Sequence, residues 1–100
     1  MIELPGASPA LLELAERGTL HSYRKGRLLI EEGDLGDTLH IIVSGRLRVF
    51  SIDPASQREI TYGTYGPGEY VGEMSLDGGH RSANAETVEN SRCVTVTRIT

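Results

Sequence analysis

The chain reads as a single, mainly β domain, and three features carry that reading. It is only 100 residues long, it contains twelve glycines, and beyond Gly18 its apolar positions fall into short runs separated by turn residues. About eight such runs, each roughly 8–12 residues from the next, point to a sandwich or jelly-roll barrel. Hydrophobic residues make up 38% of the chain, with no Trp and one Phe, so the core has to be aliphatic.

The first element is a helix. Ser8 can cap it, Pro9 suits its first position, and Leu11, Leu12, Leu14 and Ala15 form an apolar stripe that Gly18 ends. Strands at 20–24 and 27–32 flank Lys25-Gly26, and Arg24, Lys25 and Arg27 read as a solvated hairpin. The next strand, 38–44, alternates Leu39, Ile41 and Val43, and residues 46–52 alternate charged and apolar. Asp53-Pro54-Ala55-Ser56 turns the chain into 58–65, and Gly66-Pro67-Gly68 turns it again. Segments 81–89 and 92–100 close the pattern. The last, "VTVTRIT", is strand-like with no helix after it, as expected of a domain from a longer protein.

Charge and cysteine content narrow the function. The net charge is −4 and the ten Lys and Arg are scattered, so no basic stripe neutralises a phosphate backbone and no direct nucleic-acid contact is expected. Cys93 is the only cysteine, which excludes an internal disulfide and an all-cysteine metal site; with Val94 and Val96 after it in a strand-like run, it reads as a packed thiol. The start, "MIELPGASPA", lacks a signal peptide's basic and apolar regions, and no segment is long enough to span a bilayer, so a cytoplasmic domain is expected. Some jelly rolls hold a catalytic metal, but His21, His40 and His80 lack a His-x-His pair. They read as surface or turn residues, with no metal and no catalytic group expected. The four tyrosines read as fillers at the core edge.

Two segments hold the chemistry. In "EEGDLGDTLHIIVSGRLRVF", Glu31 to Phe50, Gly33, Gly36 and Gly45 end apolar runs where positive φ is expected, and Asp34 and Asp37 can cap the turns. In "YVGEMSLDGGHRSANAE", Tyr70 to Glu86, Gly72 opens "GEMSL", which is too short for a strand pair. One helical turn there would aim its first N–H groups outward as a small anion site, and Gly72 would let a ligand approach the backbone. Arg81 could fork onto a phosphate, while Glu73 would suit a pair of sugar hydroxyls. Those residues describe a sugar-phosphate pocket; a Glu73–Arg81 ion pair bracing the loop is the other reading, and the residues alone leave both open.

Taken in order, "GDLGDTLHIIVSGRLRVF", "YGPGEYVGEMSL" and "RSANAET" resemble the cyclic nucleotide-binding domain family over about Ser8 to Thr100. The resemblance implies one domain over residues 1–100: an eight-stranded jelly-roll barrel, or double-stranded β-helix. It adds a short N-terminal helix and a one-turn helix in the phosphate-binding cassette. It implies a sensor rather than an enzyme, with no cofactor and with cAMP as the ligand, cGMP being the other candidate.

By the same resemblance Arg81 takes the exocyclic phosphate, helped by Ser82 and the backbone N–H groups of Met74 and Ser75. Glu73 takes the ribose 2′-hydroxyl, Gly72 makes room, and Val71, Tyr62 and Val49 line the sugar and base. The serine after the cassette arginine is similar to bacterial regulators of the catabolite-activator type. That implies a homodimeric, DNA-binding parent whose dimerising lid helices lie outside this segment.

The chain also departs from the pattern. The loop "DGGH" is shorter than in most relatives, His80 stands where kinase-type members favour proline, and Asn84 and Glu86 suggest a more exposed strand face. A degenerate scaffold or interaction domain that binds no nucleotide is the alternative this leaves.

Overall fold

A computed structural model of the chain describes residues 4, 6–36, 38–72 and 80–97. It opens with helix α1, Pro9–Glu16, capped by Ser8, whose Oγ accepts from the Leu11 N–H at 3.2 Å. Leu11 and Ala15 are buried, while Leu14 stays well exposed, so the stripe that meets the sheet is narrower than its sequence suggests.

Among the described residues eight strands follow: β1 Thr19–Tyr23, β2 Leu28–Ile30, β3 Thr38–Ser44, β4 Leu47–Ile52, β5 Glu59–Tyr65, β6 Tyr70–Val71, β7 Asn84–Thr87 and β8 Ser91–Thr97. They form two four-stranded antiparallel sheets, ordered β1-β8-β3-β6 and β2-β7-β4-β5. The pairs β1–β8, β2–β7, β3–β6 and β4–β5 are those of one long hairpin rolled on itself. That is a jelly roll, one of the two architectures that the strand spacing predicts and the one that the family resemblance implies.

Its turns follow from their residues. Between β4 and β5 the Ser56 N–H and hydroxyl both donate to Asp53 Oδ2, at 3.2 and 2.6 Å. The basic residues Arg24, Lys25 and Arg27 are exposed but do not join a hairpin. β1 pairs with β8 and β2 with β7, so this turn is a corner where the chain changes sheet.

Two apolar layers hold the roll together. Leu11 and Ala15 of the helix pack with Leu39, Ile41, Val94 and Val96 on one face of the first sheet. Ile42 and Cys93, on its other face, pack with Ile30, Leu47, Val71 and Ala85 between the sheets. β3 is therefore buried on both sides, with the odd residues under the helix and the even ones inside the roll. Each fully buried aliphatic side chain is worth about 1.5–3 kcal/mol relative to exposure, so these layers dominate the stability. This also corrects the reading of His40 as a surface residue: it is 6% exposed, because the helix covers only one face of its strand and the second sheet covers the other.

Candidate functional site

β3 and β6 bring Thr38 and Gly72 together, and the segment entering β7 brings Arg81 between them. The strand pattern predicts Arg81 inside a strand, yet β7 begins only at Asn84. The Arg81 backbone bonds to a loop instead: its N–H donates to Asp34 O at 2.7 Å and its carbonyl accepts from the Gly33 N–H at 2.9 Å. Its side chain is turned inward and 7% exposed. Nη1 donates to Gly72 O at 3.2 Å, and Nη2 donates to Thr38 O at 2.9 Å and to Thr38 Oγ1 at 2.7 Å. These acceptors are neutral oxygens that orient the guanidinium fork without themselves cancelling its charge.

Two glycines make room for that fork, for different reasons. Gly36 was expected to need positive φ, as Gly33 (φ 91°) and Gly45 (φ 93°) do, but it does not. A Cβ on Gly36 would lie 2.7 Å from both Cζ and Nη2 of Arg81, so the guanidinium fills the space a side chain would take. Gly72 does have φ +101°, and a Cβ there would meet Thr38 O at 2.7 Å and Arg81 Nη1 at 2.9 Å. Its smallness serves the protein's own backbone and arginine.

Arg81 lies on the wall of a cavity of about 150 Å³. Val49, Val71 and Ala85 give it apolar walls, Ser82 and Asn84 add polar groups, and Gly72 also lines it. Of the residues the sequence nominates, Val49, Val71, Gly72, Arg81 and Ser82 thus share one cavity. Glu73, Met74 and Ser75, with the cassette's one-turn helix, lie outside the described residues, as does Asp37.

Tyr62 is misplaced by the sequence reading. It is 59% exposed and does not line the cavity. In the β4–β5 ladder Val49 faces Gly63 while Phe50 faces Thr61, so Tyr62 is the extra residue of a β-bulge and strand alternation fails there. Tyr65 and Tyr70 line the cavity instead, one on each side of the Gly66-Pro67-Gly68 turn. Asn84, expected on an exposed face, is buried, with its Oδ1 accepting from the Glu32 N–H at 2.7 Å. Glu86 is half-buried and reaches Arg48 Nη2 at 2.5 Å. Nothing in the sequence marked Thr38, because half of its contribution is a backbone carbonyl.

The profile of the cyclic nucleotide-binding domain matches residues 20–99, and the chain belongs to that family. It is 42% identical over 77 residues to the cyclic AMP receptor protein of Thermus thermophilus, covering 76% of this chain and 35% of that protein. The crystal structure of the Thermus thermophilus catabolite activator protein superposes with a TM-score of 0.80 at 36% identity, covering 94% of this chain and 45% of that one. The EAL enzyme Bd1971 in its cAMP-bound form matches with a TM-score of 0.75 at 33% identity, covering 80% of this chain and 22% of that one. The chain spans about a third of the length of the bacterial relatives it matches. Among the described residues no helix is long and apolar enough to cross a membrane, and no cluster of His, Cys, Asp and Glu could hold a metal ion.

Proposed function

We propose that this chain is the sensor domain of a bacterial transcription regulator, that it binds a cyclic nucleotide, and that the nucleotide is cAMP. The observation that carries the reading is Arg81: a buried guanidinium, oriented by Thr38 and Gly72, on the wall of a cavity of mixed polar and apolar lining with Ser82 beside it. A cyclic phosphodiester is a compact anion with two outer oxygens, the shape a guanidinium fork matches. In this reading Arg81 takes that anion together with Ser82 and the N–H groups of Met74 and Ser75. Glu73 accepts from the ribose 2′-hydroxyl, and the ring systems lie against Val49, Val71 and the two tyrosines. One relative named as a cyclic AMP receptor and another named as a cAMP-activated regulator support cAMP over cGMP. Regulators among those relatives support a non-enzymatic role, although the same domain also occurs within an EAL enzyme.

Binding would fix the cassette against the barrel and bias a two-state equilibrium elsewhere in the whole protein. Residues 1–100 would then be its ligand-binding domain, with dimerisation, DNA contact and lid helices supplied by other segments of a cytoplasmic regulator. Thermal denaturation tests the reading. Ligand a hundredfold above its Kd stabilises by about 2.7 kcal/mol, a rise in Tm of roughly 10 °C or more for a domain of this size. cAMP should give that rise and 5′-AMP much less. No rise at millimolar cAMP or cGMP would leave the scaffold reading in its place.

A further inference from the structure

Beneath Thr38 lies a second layer of polar groups inside the roll. His40 sits two residues further along β3, on the same face, between Thr95 of β8 and Val71 of β6. Its Nε2 is 3.4 Å from Thr38 Oγ1 and its Nδ1 is 3.3 Å from Thr95 Oγ1. The chain of contacts therefore runs Thr95, His40, Thr38, Arg81, and it ends on the residue that faces the cavity.

The direction of the protons follows from the donors. An arginine only donates, so Thr38 Oγ1 is the acceptor of Arg81 Nη2 and its own hydrogen must go elsewhere. Burial first, then the charge of Arg81 and of His21, holds His40 down at about 4, so the ring is neutral and one nitrogen carries a hydrogen. With that hydrogen on Nδ1, Nδ1–H donates to Thr95 Oγ1 and Nε2 accepts from the Thr38 hydroxyl. With it on Nε2, the Thr38 hydroxyl hydrogen has no acceptor among the described residues.

We propose that His40 is a positioning residue for ligand binding: by accepting the Thr38 hydroxyl hydrogen at Nε2, it turns the Thr38 Oγ1 lone pair onto Arg81 and fixes the guanidinium for an anion. This rests on the reading of Arg81 as the phosphate-binding residue. His40 touches no ligand and acts through Thr38 alone. A histidine that merely filled space would be indifferent to its tautomer and uncoupled from Thr38.

Two measurements on the full chain test it. Long-range ¹⁵N–¹H spectra at pH 7 read the tautomer without any ligand: Nε2 unprotonated is expected, and an Nε2–H form overturns the proposal. Calorimetric titration with cAMP then compares His40→Leu, His40→Gln, Thr38→Val and the double variant. Loss of one such hydrogen bond should weaken binding in His40→Leu roughly three- to tenfold. Gln, whose amide oxygen can accept from Thr38, should restore it, and the double variant should bind no more weakly than Thr38→Val alone. Wild-type affinity in His40→Leu, or strictly additive losses in the double variant, would overturn the proposal. If His40→Leu does not fold, the tautomer and the Gln variant decide: a Gln variant as weak as Thr38→Val overturns it. Failure of the underlying reading has a different signature, since Arg81→Ala would then bind cAMP as the wild type does.

Discussion

Thr38 holds Arg81 with two different oxygens: its carbonyl lies 2.9 Å and its Oγ1 2.7 Å from the same Nη2. The buried arginine is thus aligned before any ligand arrives. A preset fork loses less entropy on binding a phosphate than a solvated lysine would. Arg81→Lys keeps the charge but cannot reach both Gly72 and Thr38 from one plane. It should weaken cAMP binding about tenfold or more, measured by titration. It should also destabilise the free chain by about 1–3 kcal/mol, measured by urea denaturation, because buried acceptors lose their donor.

Gly36 and Gly33 lie three residues apart and predict opposite outcomes. Gly36→Ala drives a Cβ to within 2.7 Å of the Arg81 guanidinium carbon, so the arginine must shift, and cAMP affinity should fall about tenfold or more. Gly33→Ala meets open space but must hold φ +91°, which costs about 1–2 kcal/mol of stability. Titration and urea denaturation of both variants check the pair. Unchanged affinity in Gly36→Ala would contradict the packing described here.

His40 makes stability depend on pH. Its value in the fold is about 4 against 6.5 unfolded, with burial as the main cause and the charges of Arg81 and His21 adding to it. The folded chain therefore binds fewer protons than the unfolded one, so this contribution is complete above about pH 6.5 and is lost as pH falls toward 4. The loss amounts to up to about 3 kcal/mol. Urea denaturation between pH 7.5 and 4.5 should show it, with a shallower dependence in His40→Gln. Identical slopes would contradict the assignment.

Cys93 should be chemically silent while the chain is folded. It is fully buried between the sheets, and burial pushes its thiol up to about 11. Ellman's reagent at pH 8 should label it only in step with the urea transition. Labelling in native buffer at the rate of a free thiol would contradict this.

The architecture was legible because it rests on periodicity. Ser8, Pro9 and the leucines mark α1, alternation from Leu39 to Val43 marks β3, and Asp53 to Ser56 mark the hairpin turn. What stayed hidden depends on long-range packing. Alternation along β3 identifies one buried face, so His40 reads as exposed until a second sheet closes over it. A single bulge at Tyr62 shifts β5 and hands the cavity wall to Tyr65 and Tyr70. Gly36 looks like a turn residue in sequence, and only the fold shows that Arg81 occupies its missing side chain.

Every functional proposal above depends on Arg81 acting as the anion-binding group of a cyclic nucleotide site. Isothermal titration of the wild-type chain and of Arg81→Ala with cAMP tests it most directly. A saturable one-site heat is expected for the wild type, with an affinity lower by about an order of magnitude or more in Arg81→Ala. No heat from the wild type at millimolar cAMP, or equal affinity in the two proteins, would contradict it.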